Sequence, residues 1–361
     1  FTRLQAGNVP SFGANNGLGL SNSSRVNYDV AGNPDPAGPD PSTANLFTLD
    51  KLYYRFPVFG KGVLQVDALR AETYAAGFYT FNPFLESDDR GALARFFRFN
   101  PLYRVAGDAG FSFAYPLIQR DKRDILRFNV AYYGGSSVVP GSGCDGTDNR
   151  ASYCYGAGNP TNNFPGGSGL FGGAYSAIAQ VDVAPLKNLR FGVLYSRTYG
   201  LDVTGGTGTA LASNPLGLRN GNRTQSADNF GFNLTYRIIP KLNLAGWVGY
   251  SRVFDPNPNV DRSADILNWG VTLASPDLWR KGDLAAISFG QAPTVVSSRN
   301  SRLGENEFNT YVLEGQYRFQ VNPNISVTPG LIAVFNPNGD RFAGDNRDTA
   351  LIGVLRTTFT F

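Results

Sequence analysis

The chain has 361 residues, of which 42% are hydrophobic, 13% aromatic and only 17% charged, with a formal net charge of +4; soluble domains average about 25% charged residues. Its 43 glycines follow no collagen period, no run approaches the roughly 18 apolar residues of a membrane helix, and the aromatics are too many for a disordered chain. With no His anywhere, Ser-His-Asp and Cys-His triads, imidazole zinc sites and HExxH helices are excluded within the chain; with no Met at residue 1, the sequence reads as a processed or truncated piece of a longer product.

Period-two alternation predicts about fourteen strands, near residues 1–8, 44–57, 62–73, 108–116, 123–135, 170–184 and 188–200, then 226–238, 241–254, 264–275, 283–291, 307–320, 324–336 and 348–361. In DILRFNVAYYG, Leu126, Phe128, Val130 and Tyr132 oppose Arg127 and Asn129. AYSAIAQVDV sets Tyr175, Ala177, Ala179, Val181 and Val183 against Ser176, Gln180 and Asp182. NFGFNLTYRI sets Phe230, Phe232, Leu234 and Tyr236 against Asn229, Asn233, Thr235 and Arg237. TYVLEGQYRFQ and the terminal LIGVLRTTFTF repeat the pattern. Connections alternate strictly between short ones (FPVFGK, PLIQRD, APLKN, IIPKL, PDLWRKG, VNPN) and long ones rich in Gly, Asn, Asp, Ser and Pro. The only cysteines, Cys144 and Cys154, lie in a turn-rich long loop and read as a loop disulfide, which implies an oxidising compartment; the alternative is two unpaired surface thiols.

Strands of about ten residues, apolar on one face and polar on the other, with tight turns at one end and long loops at the other, are the signature of an outer-membrane barrel. Hydrocarbon satisfies no backbone donor or acceptor, so a sheet in a bilayer must close on itself. The expected fold is therefore all-β, a transmembrane antiparallel up-and-down β-barrel forming one domain over residues 1–361. A soluble sandwich would use the same alternation, but it explains neither the loop asymmetry nor the aromatics at strand ends. Those aromatics (Tyr53, Tyr54, Tyr132, Tyr133, Tyr195, Tyr199, Trp247, Tyr250, Phe359, Phe361) suit interfacial girdles. Parity points Lys51, Arg55, Asp67, Arg127, Asp182, Arg237, Glu314, Arg318 and Arg356 into the lumen. Mixed charge there favours a water-filled pore. The basic residues are dispersed, which argues against nucleic acid. No cofactor or metal site is expected, and no enzyme activity, since Asp88 and Asp89 are adjacent and no paired-carboxylate site stands out.

One long loop differs in texture: FNPFLESDDRGALARFFRFNPLYR, residues 81–104, is charged, aromatic and poor in glycine. The spacing predicts a short helix from Ser87 to Phe97 with acidic residues in its first turn. Folded into the lumen, the segment would bury its phenylalanines on the wall and leave Glu86, Asp88, Asp89, Arg90, Arg95, Arg98 and Arg104 at the constriction, Arg90, Arg95 and Arg98 foremost. The alternative is a capping or subunit-contact loop outside the pore.

The pieces FTRLQAGN, RGALARFFRFNPLYR, LAAISFGQAP, YRFQVNPNISVTPGLI and RTTFTF together resemble cyanobacterial outer-membrane porins of the carbohydrate-selective family, some known as iron uptake porins, over nearly the whole chain. The resemblance implies a signal peptide, a wall-binding surface-layer-homology domain and a coiled coil ahead of the barrel, none of them in this sequence. It also implies two further strands, making the complete barrel 16-stranded, and a homotrimer in the outer membrane with long loops extracellular and the C-terminus periplasmic. The function expected is passive diffusion of small hydrophilic solutes and inorganic ions, iron and sugars among them. A structural tether between the outer membrane and peptidoglycan or another wall polymer is the competing role.

Overall fold

The computed structural model describes residues 1–5, 21–27, 34–35, 38–39, 48–105 except 75, 107, 109–135, 170–171, 174–217, 225–337 except 302, 339 and 349–360. Cys144, Cys154 and Phe361 lie outside the described residues. Fourteen strands form the main sheet. They are β1 (Thr2–Gln5), β2 (Thr48–Val58), β3 (Gly62–Leu69), β4 (Ala109–Arg120), β5 (Arg123–Gly134), β6 (Tyr175–Val183) and β7 (Leu189–Tyr199), followed by β8 (Ser226–Ile239), β9 (Leu242–Phe254), β10 (Ser263–Pro276), β11 (Leu284–Arg299), β12 (Tyr311–Asn322), β13 (Ile325–Phe335) and β14 (Thr349–Phe359). Each pairs antiparallel with its neighbours in sequence, an uninterrupted up-and-down meander. Among the described residues no ladder joins β1 to β14, so the sheet is open at that seam.

Register follows from the turns. Between β4 and β5 the paired residues Arg120 and Arg123 flank Asp121 and Lys122, whose φ values of 51° and 62° make the mirror-image turn that matches strand twist. β11 runs eight residues beyond the expected strand: the alternation of its two faces stops at Gly290, but the backbone stays paired through two register shifts, with Thr294, Val295 and Ser297 opposite Leu267, Ile266 and Asp265 of β10.

The two faces differ as the alternation demands. Val193, Phe232, Val248, Ile287, Leu331, Leu351 and Leu355 stand exposed on the outer surface, and a continuous apolar belt of this kind has no place on a soluble monomer. Rows of rings cross it: Phe111, Tyr132, Tyr175 and Tyr199 follow one another at centroid spacings of 6.1, 5.8 and 6.1 Å near the long-loop end. Tyr54, Tyr195, Tyr250 and Phe359 share the outer face. Three of the expected girdle residues do not. Tyr133 and Trp247 are buried inside, and Tyr53 pairs with inward Asp67. In period-two strands, adjacent aromatics cannot both face lipid, and Trp247 serves the interior instead.

The lumen side carries buried Gln65, Asn129, Gln180, Asn229, Asn233, Thr272, Ser288 and Thr328. It is not uniformly polar. Along β11 to β14, Ala286, Val312, Ile332, Val334 and Ile352 point inward and join Leu85, Leu93, Phe96, Phe97 and Trp247 in one apolar cluster. A wall of this width cannot fill its interior with its own side chains; a loop does so here.

Candidate pore constriction

The segment between β3 and β4 folds into the barrel. Its neck is tied where Thr73 Oγ1 donates to the Tyr103 carbonyl at 2.5 Å. From there it touches one wall strand after another. Gln180 Nε2 of β6 donates to Tyr79 O at 3.0 Å, and Asn100 Nδ2 donates to Asn233 Oδ1 of β8 at 3.2 Å and to Val248 O of β9 at 3.3 Å. On β12, the Glu314 carboxylate accepts the backbone N–H groups of Leu93 at 3.1 Å and Ala94 at 2.6 Å. On β14, Arg356 donates to Gly91 O at 2.9 Å and Thr358 to Asp89 O at 3.0 Å. Two wall glycines make room: a Cβ on Gly192 would lie 2.4 Å from Phe81 Cζ, and one on Gly330 would lie 2.2 Å from Leu93 Cδ1. Some of the chain's extra glycine thus serves close approach between wall and loop.

The helix expected from Ser87 to Phe97 does not form. Gly91 N bonds Ser87 O at 3.1 Å, a single turn, after which Ala92 N reaches back to Leu85 O. The next donors, Leu93 and Ala94, are taken by Glu314. A wall carboxylate outcompetes the i−4 carbonyls, and the chain continues as short 3₁₀ turns at Arg95–Arg98 and Pro101–Arg104. The second is capped by Asn100, whose Oδ1 accepts from Leu102 N at 3.2 Å.

The charged residues assemble around Asp88. Its carboxylate pairs with Arg3 of β1 and with Arg98, and accepts from Tyr74 Oη at 2.6 Å. Arg3 and Arg70 both pair with Asp50, while Lys51 pairs with Glu72 and donates to Tyr74 Oη at 2.8 Å. Burial pushes the Asp88 carboxyl up, but Arg98, the Tyr74 hydroxyl, Lys51 and Arg3 outweigh it and hold the group well below the usual carboxylate range. The Arg98 guanidinium lies over the rings of Tyr74 and Phe99 at 5.0 and 4.9 Å, and that of Arg104 lies over Phe99 at 4.5 Å.

The other residues singled out from the sequence divide into three groups. Lys51, Glu314, Arg318 and Arg356 meet the loop, Arg318 through the Arg90 carbonyl at 3.3 Å. Arg55, Asp67, Arg127 and Asp182 lie on β2 to β6 in a polar patch: Arg55 bonds Gln65 at 2.7 Å, Gln65 bonds Asp67 at 2.8 Å, and Asp182 accepts from Gln180 at 2.6 Å and Asn129 at 3.0 Å. Arg237 joins the first group, lying over the ring of loop residue Phe84 at 6.0 Å. On the loop itself, Glu86 accepts from Thr80, Asp89 and Arg90 pair at 3.2 Å with Asp89 exposed, and Arg104 donates to Arg95 O at 2.8 Å.

Sequence reasoning missed Arg3, Asp50, Glu72 and Tyr74. Inward parity with Lys51 was available for Arg3, which pairs with it across the β1–β2 ladder. It also missed that residues 21–27 dock on the loop, with Asn27 N bonding Leu93 O at 2.7 Å and Arg95 N bonding Arg25 O at 2.9 Å. A third inward piece is the helical turn Ala210–Ser213, capped by Thr209 and packed through Leu211 and Leu216 against Val253, Ile266 and Val295.

An antiparallel meander with a lipid-compatible outer belt and a charged loop folded inside defines the porin class of barrel. Within that class, the carbohydrate-selective porin family, the OprB family, matches residues 3–361, and the chain belongs to it. This places it among outer-membrane β-barrels. An uncharacterized protein of Nostoc sp. is 32% identical over the whole chain, which covers 57% of that protein; one of Synechocystis sp. is 29% identical, with 60% of it covered. The chain therefore spans under two thirds of the relatives' length. The solved structure of Pseudomonas putida OprB at high pH resembles it with a TM-score of 0.51 at 12% identity, covering 88% of this chain and 74% of the other, a likeness of fold.

Proposed function

We propose that the chain forms a water-filled outer-membrane channel for passive diffusion of small hydrophilic solutes. The observation that carries this reading is the loop of residues 70–105, which brings Asp88, Arg98, Lys51 and Glu72 together inside a wall whose outer face is apolar. A charged network inside a membrane barrel sets the size and sign of what passes. Carbohydrates are the leading solute class, in line with the family; inorganic ions, iron included, are a further class the mixed charge accommodates. Transport needs no reacting group; Asp88, Arg98, Glu314 and Arg356 hold the loop, while Arg55, Asp67 and Asp182 form a polar patch on the wall. Among the described residues the outer edges of β1 and β14 carry no ladder, in line with closure by two further strands, sixteen in all. A homotrimer with long loops outside, the C-terminus periplasmic and a wall-polymer tether beyond this chain completes the proposal.

Reconstitution tests it. Stepwise single-channel conductance in planar bilayers, with liposome swelling in small sugars, is the expected result. A barrel that inserts but neither conducts nor admits sugars would leave the tether as its role.

A further inference from the structure

We infer that the short-turn rim of the barrel is a binding surface for anionic phospholipid headgroups. Five of the chain's six lysines lie in the short turns: Lys61, Lys122, Lys187, Lys241 and Lys281. One stands in each of the first five turns, so the cations form an arc around one end of the barrel. All five are exposed, and among the described residues none is in an ion pair. The sixth lysine, Lys51, is buried in the constriction.

Each cation follows an exposed apolar side chain in its own turn or at the end of the strand leading into it. Phe59, 82% exposed, precedes Lys61; Ile118 precedes Lys122; Leu186 precedes Lys187; Ile239 precedes Lys241; and Trp279, 76% exposed, precedes Lys281. The Trp279 ring packs on outward-facing Tyr317 at 5.3 Å, continuous with the apolar belt. An apolar side chain that enters the acyl boundary beside a flexible ammonium at headgroup level is complementary to a lipid phosphate.

Most carboxylates at this rim are already engaged. Asp277 accepts from Gly282 N at 2.6 Å, Asp283 from Gln320 N at 2.9 Å and Tyr317 Oη at 2.8 Å, and Asp124 from Gln119 at 2.8 Å. Asp121 shares its turn with Arg120, Lys122 and Arg123. The lysines therefore keep their charge for an external anion. Lipid is favoured over a soluble polyanion because each lysine is coupled to an apolar group with no role in water.

The inference rests on the reading of the chain as a membrane barrel, and its test separates the two. The full chain and a K61Q/K122Q/K187Q/K241Q/K281Q variant are placed in nanodiscs of equal phosphatidylglycerol and phosphatidylcholine, and the lipids retained after transfer to detergent are counted by native mass spectrometry. One cation near an anionic surface is worth roughly fivefold in partition. The parent chain should therefore retain phosphatidylglycerol about fivefold or more over phosphatidylcholine, and the variant should retain both alike. Insertion of both proteins with equal phosphatidylglycerol retention would overturn the inference and leave the barrel standing. Failure of the parent chain to insert would overturn both. Loss in the variant of binding to a soluble acidic polysaccharide, with lipid retention unchanged, would make the rim a glycan surface and overturn the lipid assignment.

Discussion

Asp88 and Glu314 show how single side chains hold the loop. The Asp88 carboxyl is depressed below its ordinary value, so the stability it contributes is fully present above the unfolded carboxylate value near 3.9 and is lost as pH falls toward the folded one. The share of loop docking that Asp88 supplies should accordingly be constant above about pH 5 and be lost only in strong acid, read as the difference in amide exchange at residues 85–98 between the parent chain and Asp88→Asn. Glu314→Gln keeps the shape but offers one acceptor oxygen where two backbone donors need one each. Leaving a buried N–H unpaired should cost about 1–3 kcal/mol, read as faster exchange of the Leu93 and Ala94 amides. Unchanged protection of both amides would show that the loop is held by other contacts.

At the scale of the element, the loop is held in two ways, and its arginines divide accordingly. Arg98 is buried, paired with Asp88 and bonded through Nε to Glu86 O at 2.9 Å, whereas Arg90 is partly exposed beside Asp89. Arg98→Gln should destabilise docking by about 2 kcal/mol, since hydrogen bonds to charged groups are worth roughly 1.5–3. Arg90→Gln should leave docking intact and shift the reversal potential under a salt gradient toward cations. Replacing residues 86–104 by a short Gly-Ser link should raise single-channel conductance; unchanged conductance would place the loop outside the permeation path. That deletion also uncovers Val312, Ile332 and Val334, which face Leu93 and Phe96 within the barrel, so the shortened protein should be less stable as well as more open.

For the whole molecule the governing constraint is the two-faced wall. Asn233 is buried inside and bonds Asn100 of the loop, while neighbouring Leu234 faces out. Leu234→Arg should cost about 2–4 kcal/mol near the bilayer midplane, measured by reversible unfolding from vesicles. Asn233→Ala should leave that stability nearly unchanged and alter conductance through the loop. The loop segment Asp88–Gly91 also spans the open seam, held by Arg3 of β1 on one side and by Arg356 and Thr358 of β14 on the other. The docking of the loop and the joining of the edge strands are therefore mechanically linked.

The sequence by itself determined the strands, their parity and the asymmetry of turns and loops, because a period-two pattern in a bilayer permits one solution. It also singled out the loop, whose phenylalanines are too apolar for a free position in solvent. Only the tertiary structure decided the loop's internal form. The helix suggested by its local spacing yielded to Glu314, some 220 residues away in the chain, whose carboxylate claims the donors a helix would need. The same holds for Trp247, an apparent girdle residue that packs against Phe96 at 5.7 Å inside the barrel. It holds too for the partners of Asp88, since Arg3, Tyr74 and Arg98 come from three separate stretches. Local periodicity reports which face a residue occupies; which groups meet on that face depends on closing the wall around the loop.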